Sequence, residues 1–264
     1  MDDRPNLILS PHFDDAVLSL GGLIAKQPER AIVVTVFAGT PTEGVTGRWD
    51  RRSGFGTAAE AVQARSSEND RALAALGVHQ SAIRNLGHLD DQYRQRPFAP
   101  NPDTRPRSAI SQDICRLAGD YQNRVNIFAP ASAWHPDHRV VTDAVLELRR
   151  AGKCGDAALF LYQDQPYTYL ELRRKTLFPL KFANFAALDE TARERASLPI
   201  ARRLINLKGS NISGKIEAIK LYKSQFRLIR PCLQKMIGDF SYYQARNAGL
   251  AHRHVEVVYQ LPAP

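Results

Sequence analysis

The chain has 264 residues, of which 44% are hydrophobic and 24% charged, a composition and length that suit one large α/β domain. Its three cysteines lie far apart without a C-x-x-C pair, which argues against a cysteine zinc cluster or a disulfide framework. The opening MDDRPNLILS lacks the features of a signal peptide, and no apolar run is long enough to span a bilayer. We therefore expect a cytoplasmic protein without a transmembrane segment.

The formal net charge of +9 favours anionic partners, although a solvated basic surface is the simpler interpretation. Much of the excess lies late in the chain, at Arg202, Arg203, Lys208, Lys215, Lys220, Lys223, Arg227, Arg230 and Lys235. Because these residues follow a helical pattern without interleaved aromatic residues, we expect no nucleic-acid partner. The sequence leaves open whether the protein forms a homo-oligomer.

The first 162 residues alternate between strand and helix patterns. In chain order we predict a strand at residues 6–10, a helix at 16–26, a strand at 31–38, a long loop at 40–57, a helix at 57–76, a strand at 82–86, a loop at 88–107, a helix at 108–117, a strand at 125–129, a helix at 137–150 and a strand at 157–162. The 40–57 loop could form a lid or a plain surface loop.

The remaining chain reads as mainly helical and basic over residues 170–250, followed by an edge or final strand at 254–259. Alternating strands and helices indicate an α/β protein. We therefore predict a Rossmann-like three-layer fold with a mostly parallel sheet. It would be a single domain over residues 1–264, with a core at about 5–170 and a helical C-terminal part. In such sheets, functional groups collect beyond the carboxyl ends of the strands.

Two polar clusters follow predicted strands. SPHFDD at residues 10–15 comes directly after the first strand, and WHPDHR at residues 134–139 comes after the strand at 125–129. Each cluster alone would usually be a turn or a helix cap. Together they offer histidine and aspartate ligands for zinc, with carboxylates to spare for proton transfer. Three protein ligands with one open position are typical of a catalytic zinc site, so the sequence predicts a metal centre here.

These motifs also carry a family resemblance. PHFDD at residues 11–15 and HPDH at 135–138 resemble the two signature motifs of the LmbE-like/PIG-L family of zinc-dependent N-deacetylases. Further similar segments are Arg65, Glu68 and Leu76-Gly77, LGHLD at 86–90, LDDQYR at 89–94 and YQDQPY at 162–167. The resemblance covers residues 5–170. Many members have Pro-Asp-Asp-Glu in the first motif, where this chain has Phe13 and Ala16 at the flanking positions.

The resemblance implies a role for each matching position in the two motifs. His12, Asp15 and His138 would hold Zn²⁺, with Fe²⁺ as the alternative metal. Asp14 would be the general base for a water activated by the metal. His135 would face the substrate carbonyl, where it could stabilise the oxyanion or help to protonate the leaving amine.

Further positions would serve the substrate and the ligands. By resemblance, Arg65 and Asp90 would contact the sugar or its substituents, and Asp137 could orient a ligand histidine from behind, as ligating histidines normally require. Trp134, beside the second motif, could stack on a sugar ring or simply pack against the protein.

The implied function is a metal-dependent hydrolase that removes an N-acetyl or other N-acyl group from an amino-sugar-containing small molecule or glycoconjugate. Two alternatives remain open. One is a zinc amidase acting on a non-sugar amide conjugate. The other is a non-catalytic protein that binds sugar or anionic lipid, although such a protein would not need a complete set of ligands and base.

Overall fold

The computed structural model describes residues 3–94, 105–131, 134–175, 180, 183–225, 230, 233–250 and 253–263. Residues 95–104 of the predicted 88–107 loop and Arg227 of the basic segment lie outside these ranges. The described part contains a seven-stranded sheet in the order β3-β2-β1-β4-β5-β7-β6. Its strands are β1 (Asn6–Ser10), β2 (Ala31–Thr35), β3 (Ile83–Asn85), β4 (Asn126–Pro130), β5 (Ala158–Tyr162), β6 (Ala201–Leu207) and β7 (His254–Gln260).

Helices connect most of these strands. They are α1 (Asp15–Lys26), α2 (Arg48–Arg52), α3 (Ala58–Ala75), α4 (Asp91–Arg94), α5 (Arg105–Gly119), α6 (Pro136–Arg150), α7 (Tyr167–Lys175), α8 (Ala186–Ala196), α9 (Gly209–Ile219) and α10 (Phe240–Asn247), the last preceded by a π-helical segment, Gln234–Asp239. In the described residues, no helix is both long enough and apolar enough to cross a membrane.

The sheet separates two hydrophobic cores. Successive residues of β1 point to opposite faces, so that Ile8 packs with α1, α3 and α9, whereas Leu7 and Leu9 pack with α5 and α6. Residues 6–10 and 31–35 are buried throughout, as expected for parallel strands covered on both faces. This arrangement confirms the predicted three-layer α/β fold.

The pairing is parallel from β3 through β5 and antiparallel at the other edge, where β7 lies between β5 and β6. The predicted final strand is therefore interior to the sheet. The prediction of a mainly helical segment at 170–250 is wrong for Ala201–Leu207, which forms the edge strand β6. The predicted 40–57 loop also contains the short helix α2. The basic local composition of β6 does not indicate a strand. Its backbone partners lie about fifty residues further along the chain, so its pairing could not be recognised locally.

Candidate metal centre and active site

The site lies beyond the carboxyl ends of β1 and β4. These strands are neighbours, but the chain leaves β1 towards β2 on one side and reaches β4 on the other. Such a switch in strand order opens a crevice where α/β proteins bind ligands. His12 and Asp15 follow β1, and His138 lies in the first turn of α6 after β4.

Three ligand atoms converge at this point. Nδ1 of His12 lies 3.3 Å from Oδ2 of Asp15, and Nε2 of His138 lies 3.2 Å from the same oxygen. The two ring nitrogens are 3.3 Å apart. Asp15 and His138 are buried, whereas His12 is partly exposed. The predicted ligands therefore form a nearly equilateral triangle at the edge of the sheet.

This triangle fits a tetrahedral metal ion. Ligands at about 2.0–2.1 Å from a tetrahedral zinc stand about 3.3 Å from one another. The charge balance also favours a cation, since burial lowers the pKa of His138 but Asp15 and Asp164 outweigh it and raise the pKa to about 10. Two imidazoles and one carboxylate form a donor set that suits Zn²⁺ and also Fe²⁺.

Each ligand histidine is held from behind by a carboxylate. Nε2 of His12 lies 2.9 Å from Oδ2 of Asp137, which also accepts the backbone N–H of Asp91. Nδ1 of His138 lies 2.6 Å from Oδ2 of the fully buried Asp164. These contacts fix which ring nitrogen faces the centre of the triangle and keep it available as a ligand.

Asp14 precedes α1 and faces the cavity beside the triangle. Burial and the adjacent Asp15 carboxylate raise the pKa of Asp14 to about 7. A carboxylate with its pKa near the working pH can accept a proton and later return it. Asp14 therefore differs from its neighbour Asp15, whose pKa is lowered because the two histidines outweigh the effect of burial.

His135 stands on the far side of the triangle, with its ring centroid 4.9 Å from that of His12. Burial and the charges of His12 and His138 lower the pKa of His135 to about 4, so the ring is neutral at pH 7. Its Nδ1 accepts the backbone N–H of Asp137 at 3.2 Å. The proton of the neutral ring must then lie on Nε2, which leaves a hydrogen-bond donor at the cavity.

A cavity of about 420 Å³ opens over these groups. Its wall contains the predicted substrate residues Arg65 and Asp90, together with Tyr222 and Gln225, which lie beyond the 5–170 segment that resembles the family. Trp134, the third predicted substrate residue, does not line this cavity. It borders a separate small pocket, with the guanidinium of Arg174 4.1 Å above its ring.

Three residues at the site received no role in the sequence analysis, although two of them, Asp164 and Tyr167, lie in the 162–167 segment that resembles the family. Asp164 backs His138, Tyr167 packs edge-on against the same ring at 5.0 Å, and Asp50 is buried beside Arg65. Asp164 follows β5 just as the two motifs follow β1 and β4, so the strand-end rule could have identified it. Asp50 lies in the predicted 40–57 loop and offered no comparable signal.

Known proteins share part of this sequence and the fold. The chain is 31% identical over 170 residues to 2'-N-acetylparomamine deacetylase of Streptomyces fradiae, an alignment that covers 61% of this chain and 57% of the relative. The fold superposes on the zinc inhibited form of teicoplanin deacetylase Orf2 with a TM-score of 0.74, 23% identity and 98% coverage of both chains. It also superposes on the A40926 pseudoaglycone deacetylase Dbv21 with a TM-score of 0.72, 25% identity and 99% and 98% coverage.

The family model described as PIG-L, GlcNAc-PI de-N-acetylase, matches residues 7–149. That segment covers more than half of the chain and includes most of β1, all of β2 to β4, both histidine motifs and most of α6. The match confirms the resemblance read from the sequence, and the chain belongs to the PIG-L (LmbE-like) family.

Proposed function

We propose that this protein is a metal-dependent hydrolase that removes an N-acetyl group from an amino-sugar-containing substrate. The observation that carries the proposal is the triangle of His12, Asp15 and His138 with Asp14 and His135 beside it in one cavity. The family match and the 31% identical deacetylase support the reaction and the substrate class. A protein that only binds its ligand would need neither the general base Asp14 nor the additional histidine His135.

His12, Asp15 and His138 would hold the metal, for which we propose Zn²⁺. A metal at this point supplies Lewis acidity, which activates a water molecule and polarises the amide carbonyl. Asp14 accepts the proton of the attacking water, a task that suits a carboxylate with its pKa near 7. The same carboxyl group can then hand that proton to the departing amine.

His135 acts on the carbonyl oxygen. Its neutral ring carries the proton on Nε2 and can donate a hydrogen bond as negative charge develops on that oxygen. Removing one such donor typically lowers kcat by about 10²–10³-fold. Arg65 and Asp90 on the cavity wall would bind sugar hydroxyl groups and so orient the N-acetyl group towards Asp14.

The test is acetate release from a panel of N-acetylglucosamine glycosides, measured with zinc-loaded, chelated and zinc-restored protein. We expect chelation to abolish release and zinc to restore it. Asp14→Asn should keep its zinc yet lose about 10²–10⁴-fold in rate, the usual contribution of a general base. Asp143→Asn, which removes a carboxylate paired with Arg195 elsewhere, is the matched control.

Two results would contradict the proposal. Full activity in zinc-loaded Asp14→Asn protein would remove the assigned base. Chelator-sensitive release from N-acetylated amino acids, with none from any glycoside, would move the substrate class to non-sugar amide conjugates.

A further inference from the structure

The buried carboxylate of Asp50 lies outside the reacting centre and connects helices that form one wall of the cavity. Asp50 lies in α2 with no exposed surface. Its Oδ1 pairs with Nη1 of Arg65 at 2.9 Å, and its Oδ2 accepts hydrogen bonds from the hydroxyl of Tyr93 at 2.9 Å and from the backbone N–H of Gly47 at 2.8 Å. The amide of Gln92 reaches Oδ1 at 3.5 Å. One side chain therefore ties α2 to α3 and α4.

The contact with Asp50 satisfies only part of the hydrogen-bonding capacity of Arg65. Arg65 is 8% exposed and lines the cavity, yet its Nε and second terminal nitrogen have no hydrogen-bond partner among the described residues. Leaving buried guanidinium donors unpaired is costly unless a ligand completes them. Asp50 balances the charge of Arg65 through one nitrogen and leaves the others free for hydroxyl or carbonyl oxygens of a bound substrate.

The same carboxylate also acts on Asp90 and Trp49. The amide nitrogen of Gln92, close to Asp50, lies 3.2 Å from Oδ2 of Asp90, and the amide oxygen accepts the backbone N–H of Trp49 at 3.2 Å. Asp90 and Trp49 line the cavity together with Arg65. Gln92, which contacts Asp50, therefore links Asp90 to Trp49, while Oδ2 of Asp90 also lies 3.9 Å from Nε2 of His12.

We propose that Asp50 is the positioning residue of the substrate-binding wall: it holds Arg65, Asp90 and Trp49 in the arrangement that recognises the sugar. The proposal rests on the proposed function for the identity of the ligand. Among the described residues, Asp50 makes no hydrogen bond or ion pair with the triangle or with Asp14, so its loss should weaken substrate binding and leave the chemical step unchanged. A loss of binding with an unchanged chemical step would distinguish Asp50 from a residue that only stabilises the fold.

The first experiment compares wild-type and Asp50→Asn holoenzymes on methyl N-acetylglucosaminide. Asparagine keeps the size and one acceptor but loses the charge that pairs with Arg65. We expect KM to rise about tenfold or more, kcat to stay within about threefold, and zinc affinity to remain unchanged. Asp143→Asn, which breaks another aspartate–arginine pair, should alter none of the three values.

A second variant perturbs the same wall without removing a charge, although the added methyl group would also lie 2.9 Å from Oδ2 of Asp50. A methyl group on Gly47 would overlap the amide of Gln92, while the backbone there is extended and accepts any residue. Gly47→Ala should therefore raise KM in the same way. It keeps the proposal testable if Asp50→Asn fails to fold.

A third measurement needs no substrate. The chain has two tryptophans, so Trp134→Phe leaves Trp49 as the single tryptophan, which can be excited selectively over the tyrosines. In that background, Asp50→Asn and Gly47→Ala should increase acrylamide quenching of Trp49, because the contact that fixes its backbone is lost. If wild-type holoenzyme releases no acetate from any glycoside, the proposed function is wrong. The acrylamide quenching of Trp49 is then the only test of the role of Asp50.

Two outcomes would overturn the inference. In the first, both variants keep the wild-type KM and the wild-type quenching of Trp49. In the second, kcat and zinc affinity fall together with KM, which would make Asp50 a general support of the fold.

Discussion

Replacing Asp164 tests whether the carboxylate behind His138 sets the affinity of the metal centre. The side chain is fully buried and its Oδ2 lies 2.6 Å from Nδ1 of His138, a short charge-assisted contact. Such a partner holds the proton on Nδ1 and directs the lone pair of Nε2 to the metal. Asp164→Asn can still accept this bond through its amide oxygen but loses the charge, whereas Asp164→Ala loses both.

We therefore expect a graded loss of zinc affinity in the two variants. Carboxylates behind metal-bound histidines are worth about 10–100-fold in metal affinity, or about 1.4–2.8 kcal/mol. Asp164→Asn should fall near the lower limit and Asp164→Ala near the upper one. The assay is competition for zinc with a chromophoric chelator, with circular dichroism to check the fold and Asp143→Asn as the control. Wild-type affinity in a folded Asp164→Ala protein would refute the reasoning.

Two further predictions concern stability and the mouth of the cavity. Lys215 and Glu256 are buried and 2.6 Å apart, so Glu256→Gln should lower the free energy of unfolding in urea by about 3–5 kcal/mol, and adding Lys215→Met should recover part of the loss. Trp49 and Leu170 line the cavity yet are 42% and 46% exposed, so longer alkyl N-acetylglucosaminides should have lower KM values, by up to about fourfold for each buried methylene. In the double variant Trp49→Ala, Leu170→Ala, KM should depend less on alkyl length. If that dependence is unchanged, the two residues at the mouth of the cavity are not its cause.

The parallel half of the fold could be predicted because its signals are local. The uninterrupted apolar runs at residues 6–10 and 31–35 match strands buried on both faces, and the intervening helix shows its own periodicity. β6 could not be recognised in the same way. Its two arginines lie at a sheet edge where solvent tolerates charge, and only its pairing with β7 makes the segment a strand.

The place of the metal site could also be predicted from sequence, because each motif lies within a few residues of a strand end. Parallel strands bring those ends to one edge, so the two motifs were expected on the same side of the sheet, whereas the choice of His12, Asp15 and His138 came from the family resemblance. Trp134 shows the limit of that argument. Adjacency to His135 along the chain suggested the same cavity, but His135 turns inward at the start of α6 and Trp134 lies against Arg174.

The substrate wall depends on contacts that no local pattern encodes. Arg65 lies on α3, Asp90 precedes α4 and Trp49 lies on α2, so their distances are set by tertiary packing and not by strand register. What joins them is the carboxylate of Asp50, in a segment whose composition predicted only a loop. A wall held in this way can change without disturbing the sheet-bound triangle. The chemistry can therefore stay constant while the wall around Asp50 changes, and with it the substrate that we propose this wall recognises.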